Sequence, residues 1–158
     1  MKNYYSDTER KFTIAKLEVR KFNSWDIVIL LTFSLIVIIN LFLTEHYPQK
    51  AFFLTCVGSF LTAYLIFTTP FGLRFRNINF SVIWLLLSLL FLYENYAIAQ
   101  IPLLGFLIYH FFRLVFWKKY NKEFIPYESG RGRLFRYVSK VEGRGGYKED
   151  RTFMKLLI

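Results

Sequence analysis

The chain has 158 residues and a formal net charge of +10, yet 54% of it is hydrophobic and 21% aromatic. A soluble domain of this length cannot bury so much apolar surface in a single core, so the composition excludes an ordinary soluble fold. The length also allows one domain and excludes two independent ones. Both observations fit a membrane protein in which the apolar residues lie in lipid and the charges lie outside it.

The single cysteine, Cys56, excludes an intrachain disulfide. Because it lies within an apolar run, it is predicted to be a small buried residue. The first apolar run begins near Ile27, behind a polar segment, and no small-residue cleavage site follows it. We therefore expect this run to stay in the protein as a membrane anchor rather than to be removed as a signal peptide.

Residues 1–25 are predicted to form an amphipathic cytoplasmic segment. The sequence at 6–9, Ser-Asp-Thr-Glu, matches a capping box, which favours the start of a helix. Apolar residues then recur at helical spacing, at Phe12, Ala15, Val19 and Phe22. The pattern predicts an interfacial helix on the inner membrane surface or against a partner, with an ordinary solvated helix as the alternative.

Residues 26–117 contain four apolar segments, each close to the ~20 residues that a membrane-spanning helix needs. They lie at 27–43, 51–69, 78–93 and 101–117. The short polar links between them predict antiparallel neighbours, that is, an all-α four-transmembrane-helix bundle made of two antiparallel hairpins. The third segment is the shortest, so a re-entrant hairpin is the alternative for the last two segments.

The basic residues predict the orientation of the chain. All of them except Lys50 fall in the N-terminal segment, the middle loop, the tail or the end of the fourth segment. The positive-inside rule then places both termini in the cytoplasm. The compact size and the lack of sorting signals favour a bacterial plasma (inner) membrane.

Residues 118–158 are predicted to be a short basic cytoplasmic tail. The aromatic and β-branched residues of 134–141 favour a strand, so a small β-hairpin is one structure for the tail. The arginines in and beside its glycine-rich stretches are candidates for binding lipid headgroups or a partner: Arg131, Arg133, Arg136 and Arg144. Acidic residues interrupt the basic run, so we expect anionic lipid headgroups and not nucleic acid. The apolar end is expected to dock on the bundle or on another subunit through Phe153, Leu156, Leu157 and Ile158.

Small and hydroxyl-bearing residues recur along the second apolar segment. They are Thr55, Gly58, Ser59, Thr62 and Ala63. Small residues at this spacing let another helix approach closely. The pattern predicts packing within the bundle, with a pore-lining or oligomer-forming face as the alternative.

Polar residues inside a membrane are costly and often functional. His110 is predicted near mid-membrane, where a hydrogen bond to a neighbouring helix is the expected role and proton relay or metal binding the alternative. Arg113 is expected to reach the headgroups with its long side chain and to form an ion pair with Asp26. On the outer face, Glu45, His46 and Glu94 form a polar cluster whose spacing matches no metal motif.

No catalytic, metal or cofactor motif stands out, so no cofactor is expected and whether the chain is an enzyme stays open. The favoured function is a non-catalytic membrane subunit that assembles with other membrane proteins, or with itself, through its helices and cytoplasmic ends. A homo-oligomeric pore or membrane-disrupting effector is the second class of function. A small membrane-embedded enzyme or transporter is the third.

Overall fold

The computed structural model describes residues 10–11, 17–67, 71–93, 96–124 and 148–157. Two short strands come first, and five α-helices and two 3₁₀ segments follow. In chain order these are β1 Arg10–Lys11, β2 Glu18–Val19, α1 Ser24–His46, α2 Pro48–Phe67, the first 3₁₀ segment Phe71–Arg76, α3 Ile78–Phe91, the second 3₁₀ segment Ala97–Gln100, α4 Ile101–Tyr120 and α5 Lys148–Leu157. Helices therefore cover most of each of the four predicted apolar segments.

Three of the helical segments are long and apolar enough to cross a membrane: α1, α2 and the continuous run from Ala97 to Tyr120. The helix α3 has 14 residues, which is about 21 Å at 1.5 Å per residue. That length is shorter than the ~30 Å of a typical hydrocarbon core. Many large apolar side chains on these helices are exposed, as expected of surfaces that face lipid.

The helix α1 begins where its sequence offers a cap. Asn23 is the N-cap residue, and its backbone N–H donates to Asp26 Oδ2 at 2.9 Å. A carboxylate in the first turn also interacts favourably with the positive end of the helix dipole. Only Tyr47 separates α1 from α2, and Pro48 occupies the first position of α2, where a missing N–H costs nothing. The chain therefore turns back sharply at Tyr47.

The helix α4 ends at Asn121, which adopts a left-handed conformation with φ of 49°. Its N–H donates to the carbonyl oxygen of Trp117 at 2.8 Å, a common way to satisfy the end of a helix. The turn sends the next residues back along α4, where Glu123 and Phe124 are both buried. This reversal brings Glu123 into contact with Arg113.

Aromatic rings dominate the core. Trp84 of α3 is fully buried, with Phe33 of α1 at 4.6 Å and Phe75 at 5.3 Å between ring centroids. Phe75 lies in the 3₁₀ segment between α2 and α3, and its ring also packs at 5.4 Å from Phe106 of α4. One side chain from this segment thus joins α3 and α4 at the same end of the bundle.

The predicted N-terminal amphipathic helix is wrong for the described residues of that region. Arg10–Lys11 and Glu18–Val19 pair as two antiparallel strands, with Arg10 opposite Val19. Glu18 also forms an isolated bridge with Asn77 at the start of α3, and Asn77 Nδ2 donates to the Arg20 carbonyl oxygen at 3.2 Å. Tertiary contacts with the bundle therefore override the helical periodicity of the sequence.

The β-hairpin considered for the tail is wrong at its C-terminal half, because Lys148–Leu157 is the helix α5. Glu149 and Asp150 lie in its first turn and Lys155 in its last, which suits the helix dipole. Phe153 is buried against the end of α4, with centroid distances of 5.1 Å to Phe116 and 6.0 Å to Tyr120. The other strand considered for the hairpin, at 134–141, lies outside the described residues.

Candidate functional site

Four separate parts of the chain converge at one end of the bundle, which we call the charged end. They are β2 with the residues after it, the first turn of α1, the 3₁₀ segment Phe71–Arg76 and the last turns of α4 with Glu123. Each contributes at least one charged side chain to a shared, largely buried cluster. The convergence follows from the turns described above, which bring distant charges to the same depth.

These charges alternate in sign along one continuous chain of contacts. In order the residues are Arg74, Asp26, Arg20, Glu18, Arg76, Glu123 and Arg113. Each carboxylate lies between two guanidinium groups. We refer to these seven residues as the charge chain.

The two ends of the charge chain are its closest ion pairs. Arg74 Nη1 donates to Asp26 Oδ1 at one end, and Arg113 binds Glu123 through both Nε and Nη2 at the other. The second Arg113 bond, from Nη2 to Glu123 Oε2, is 3.1 Å long. Two parallel bonds between a guanidinium and a carboxylate fix orientation as well as charge.

The middle contacts of the charge chain are looser. Arg20 lies 3.5 Å from Asp26 and 3.7 Å from Glu18, and Arg76 lies 3.8 Å from both Glu18 and Glu123. Arg20 is also the most exposed member, with 25% of its side chain accessible. The Arg113–Glu123 pair is buried almost completely, since the two side chains are 2% and 1% accessible. Removing one partner of such a pair leaves a buried charge without its counter-ion, which is strongly destabilising.

A layer of aromatic and polar side chains lies directly beneath the charge chain. Phe75, between Arg74 and Arg76 in sequence, packs at 5.6 Å from Tyr109 and 6.0 Å from His110, measured between ring centroids. Within the described residues, Tyr109 Oη, His110 Nε2 and Trp84 Nε1 are buried atoms without a hydrogen-bond partner. Unpaired donors of this kind cost free energy, so they are places where a bound water or ligand would be stabilised.

The expected pairing of Arg113 with Asp26 is wrong. Arg113 binds Glu123 instead, and Asp26 binds Arg74 and Arg20. The expectation that Arg113 reaches the headgroups is also wrong, because it is only 1% exposed. The physical reason is the turn at Asn121, which brings the Glu123 carboxylate back to α4. Its negative charge offsets the cost of burying the Arg113 guanidinium.

The hydroxyl-bearing residues of α2 point into contacts within the chain. Thr55 Oγ1 accepts a 2.9 Å bond from Asn40 Nδ2 of α1 and donates to its own helix at the Ala51 carbonyl. Ser59 Oγ donates to the Ile98 carbonyl oxygen at 2.7 Å, and Thr62 Oγ1 to the Ser59 carbonyl at 2.9 Å. These bonds connect α2 to α1 and to the segment before α4.

Gly58 lies where α2 approaches two other helices. A Cβ atom added there would meet Ile36 Cγ2 of α1 at 3.0 Å and Phe91 Cζ of α3 at 3.1 Å. Ala63, the last of the small residues singled out in α2, is partly buried. The close approach at Gly58 is therefore a packing contact among three helices of the same chain.

The polar cluster expected on the outer face is described only in part. Glu45 and His46 are exposed at the end of α1, and the His46 ring stacks on Phe42 with centroids 4.5 Å apart. Glu94 lies outside the described residues. His110 packs against Phe75 beside the charge chain, whereas His46 is at the opposite end of α1 from Asp26. Among the described residues, no group of three or more His, Cys, Asp or Glu side chains is arranged to hold a metal ion.

Of the tail residues predicted to bind headgroups or a partner, only Phe153, Leu156 and Leu157 fall within the described part of the chain. Phe153 occupies an aromatic pocket formed with Phe116 and Phe124, at 5.1 Å and 6.4 Å between centroids. The four arginines and Ile158 lie outside the described residues, so their predicted roles stay predictions.

Sequence reasoning missed Glu18 and Glu123 as members of a buried site. A signal was present, because each is an acidic residue within a stretch otherwise rich in Lys and Arg. Comparisons with protein-family models, with curated proteins and with solved structures found no match to this chain.

Proposed function

We propose that this chain is a non-catalytic integral membrane subunit that assembles into a larger membrane complex through its helices and its charged end. Its helices supply a broad apolar surface for lipid and for neighbouring subunits. Its charged end is a platform on the cytoplasmic side, in which buried ion pairs join four parts of the chain and lysines lie at the surface. We further propose four crossings, with both termini in the cytoplasm of a bacterial plasma membrane.

The observation that carries this proposal is that the polar side chains named above bond to other parts of the same chain. The charged residues at the buried end pair with one another, and the hydroxyls of α2 bond to the chain itself. A catalytic or transport site usually keeps convergent polar groups available for a substrate. Here the described polar groups are mostly used to hold the helices together, which is what a scaffolding role requires.

The proposed orientation draws support from the charge chain. Its contacts bring the N-terminal segment, the middle loop and the end of α4 to the same end of the bundle. These are the parts of the chain in which basic residues concentrate, so a single orientation satisfies the positive-inside rule for all of them. The 14-residue helix α3 is too short to cross the hydrocarbon core by itself, so a fourth crossing requires the residues after α3 to span the remaining thickness.

The pore alternative would need Thr55, Ser59 and Thr62 to face water, and their hydroxyls are already bonded within the chain. The enzyme alternative has His110, Glu45 and His46 as its candidate residues within the described part of the chain. His110 lies near the charged end, whereas Glu45 and His46 lie at the opposite end of the bundle. Neither alternative gains a specific supporting contact from the described residues.

Gentle purification of the tagged full chain from its own membranes, followed by native mass determination and protein identification, tests the proposal. We expect stoichiometric recovery with at least one other membrane protein. Recovery as a homo-oligomer alone would instead favour the pore, and ion flux in vesicles would then be measured.

The orientation has its own test in a Cys56→Ser background. Lys50→Cys and Thr152→Cys place single thiols at exposed positions at the two ends of the molecule. A membrane-impermeant maleimide added to intact cells should label the first variant and not the second. Labelling of Thr152→Cys in intact cells would contradict a cytoplasmic C-terminus.

A further inference from the structure

The charged end separates its acidic residues from its lysines. Asp26, Glu123 and Asp150 are each no more than 1% exposed, and Glu18 is largely buried between two arginines. The lysine side chains that the structure describes at the same end are exposed: Lys21, Lys118, Lys119, Lys122, Lys148 and Lys155. Among the described residues there, Glu149 is the exposed carboxylate. Within the described part of the chain, the fully exposed charges of this end are therefore six ammonium groups and one carboxylate, while the other carboxylates lie below the surface.

The lysines of α4 continue the surface that faces lipid. Lys118 and Lys119 follow Leu114 and Val115 by four residues, so each lies one helical turn further along the same face. Leu114 and Val115 are 49% and 38% exposed, as is typical of side chains in contact with acyl chains. The ammonium groups thus lie next to the end of the exposed apolar surface. In a membrane, lipid phosphates lie at this boundary.

The helix α5 adds to this surface. Phe153 anchors it against Phe116 and Tyr120 of α4. Lys148 and Lys155 are exposed and seven residues apart, so they share the face that also carries the exposed Thr152. The docked helix therefore presents two further ammonium groups beside the end of α4.

We propose that the end of α4, with Lys118, Lys119 and Lys122, is a binding surface for the phosphate groups of anionic membrane lipids. The continuity with Leu114 and Val115 favours a lipid over a soluble anion, because the same helix face contacts the acyl chains. Glu123, which follows Lys122 directly, is buried in an ion pair with Arg113 and therefore does not repel the phosphates. The surface requires membrane insertion and does not depend on the identity of any partner subunit.

Trp117, which precedes Lys118, is the reporter for a test in a Trp25→Phe background, because Trp25 is 61% exposed whereas Trp84 is fully buried. The full chain is reconstituted in phosphatidylcholine vesicles, and tryptophan quenching by brominated phosphatidylglycerol is compared with quenching by brominated phosphatidylcholine. We expect phosphatidylglycerol to be preferred, by up to about fivefold for each lysine engaged at low ionic strength. The preference should weaken as sodium chloride is added, because salt screens exposed charges.

The triple variant Lys118→Gln/Lys119→Gln/Lys122→Gln should reduce the preference severalfold, and the remainder is assigned to Lys148 and Lys155. The matched variant with three arginines should retain it, which separates the loss of charge from a loss of folding. Lys50→Gln, an exposed lysine at the other end of the bundle, should leave it unchanged. Equal quenching by the two lipids in the parent protein, or a preference that the triple glutamine substitution leaves undiminished, would overturn the proposal.

Inorganic phosphate distinguishes a lipid from a free anion. Sodium phosphate and sodium chloride are compared at equal ionic strength. A lipid surface predicts the same weakening of the preference in both salts. If phosphate alone abolished the preference, the surface would be a site for the free anion, and the assignment to lipid would be wrong.

Discussion

Arg113 and Glu123 face each other across the turn at Asn121, joined by two hydrogen bonds and almost entirely buried. They are ten residues apart in sequence, and only the left-handed conformation of Asn121 allows the chain to return so soon. The pair closes one end of the charge chain, and Arg76 connects it to Glu18 of β2.

Replacing one member of this pair should destabilise the fold more than replacing both. Arg113→Met leaves Glu123 buried without its closest counter-ion, and we expect a loss of about 3 kcal/mol in the free energy of unfolding. The double variant Arg113→Met/Glu123→Leu should recover most of that loss, because no unmatched charge remains. Unfolding in mixed detergent micelles provides the measurement.

Lys118→Met is the matched control for that series, because it removes an exposed cation from the same helix. We expect its effect to stay within about 0.5 kcal/mol. An equal cost for Arg113→Met and Lys118→Met would show that the buried pair does not hold α4 to its turn.

The bond from Asn40 to Thr55 should couple α1 to α2. A double-mutant cycle with Asn40→Leu and Thr55→Val should give a coupling of about 0.6 kcal/mol, and at most about 1.7 kcal/mol, as in other helical membrane proteins. Thr32→Val is the control, since that hydroxyl is exposed and bonds within its own helix to the Val28 carbonyl. Additive effects of the two α1–α2 substitutions would contradict the bond.

Gly58 should not tolerate a large side chain. In Gly58→Leu the new atoms must displace Ile36 and Phe91, which already lie at the limit of contact for a single Cβ atom. We expect a loss of roughly 1–3 kcal/mol from overpacking. Val57→Leu, at a neighbouring exposed position, should be neutral in the same unfolding assay. A neutral Gly58→Leu would mean that α1 and α3 do not approach α2 this closely.

Tyr109→Phe should leave stability unchanged or raise it by about 1 kcal/mol, because the buried hydroxyl has no partner among the described residues. Ser81→Ala is the contrasting variant, since its hydroxyl donates to the Phe75 carbonyl at 2.8 Å and should cost about 0.5–1.5 kcal/mol. Both are measured by unfolding in mixed micelles. A loss above about 1 kcal/mol for Tyr109→Phe would indicate that a water or a ligand binds its hydroxyl.

The apolar segments and their links could be predicted from sequence because lipid imposes a strong local requirement. A helix that crosses the hydrocarbon core must be apolar over most of its length, so each long helix is visible as a run of residues. The turn at Pro48 and the cap at Asn23 follow from equally local chemistry.

The candidate site could not be predicted in the same way. Its residues come from β2, α1, the 3₁₀ segment and α4, and the sequence contains no spacing that relates Glu18 to Arg76 or Glu123 to Arg113. Asp26 was recognised as a buried polar residue but was given the wrong partner. The N-terminal helix failed for a related reason, because contacts to Asn77 and Arg76 favour an extended chain there.

The sequence by itself thus determined that this is a helical protein suited to a membrane, and where its apolar helices lie, because hydrophobic length is a property of consecutive residues. Only the tertiary structure decided which charges pair and which remain exposed. Ion pairing depends on a few ångströms between side chains far apart in sequence, and here it buries the carboxylates and leaves the lysines at the surface.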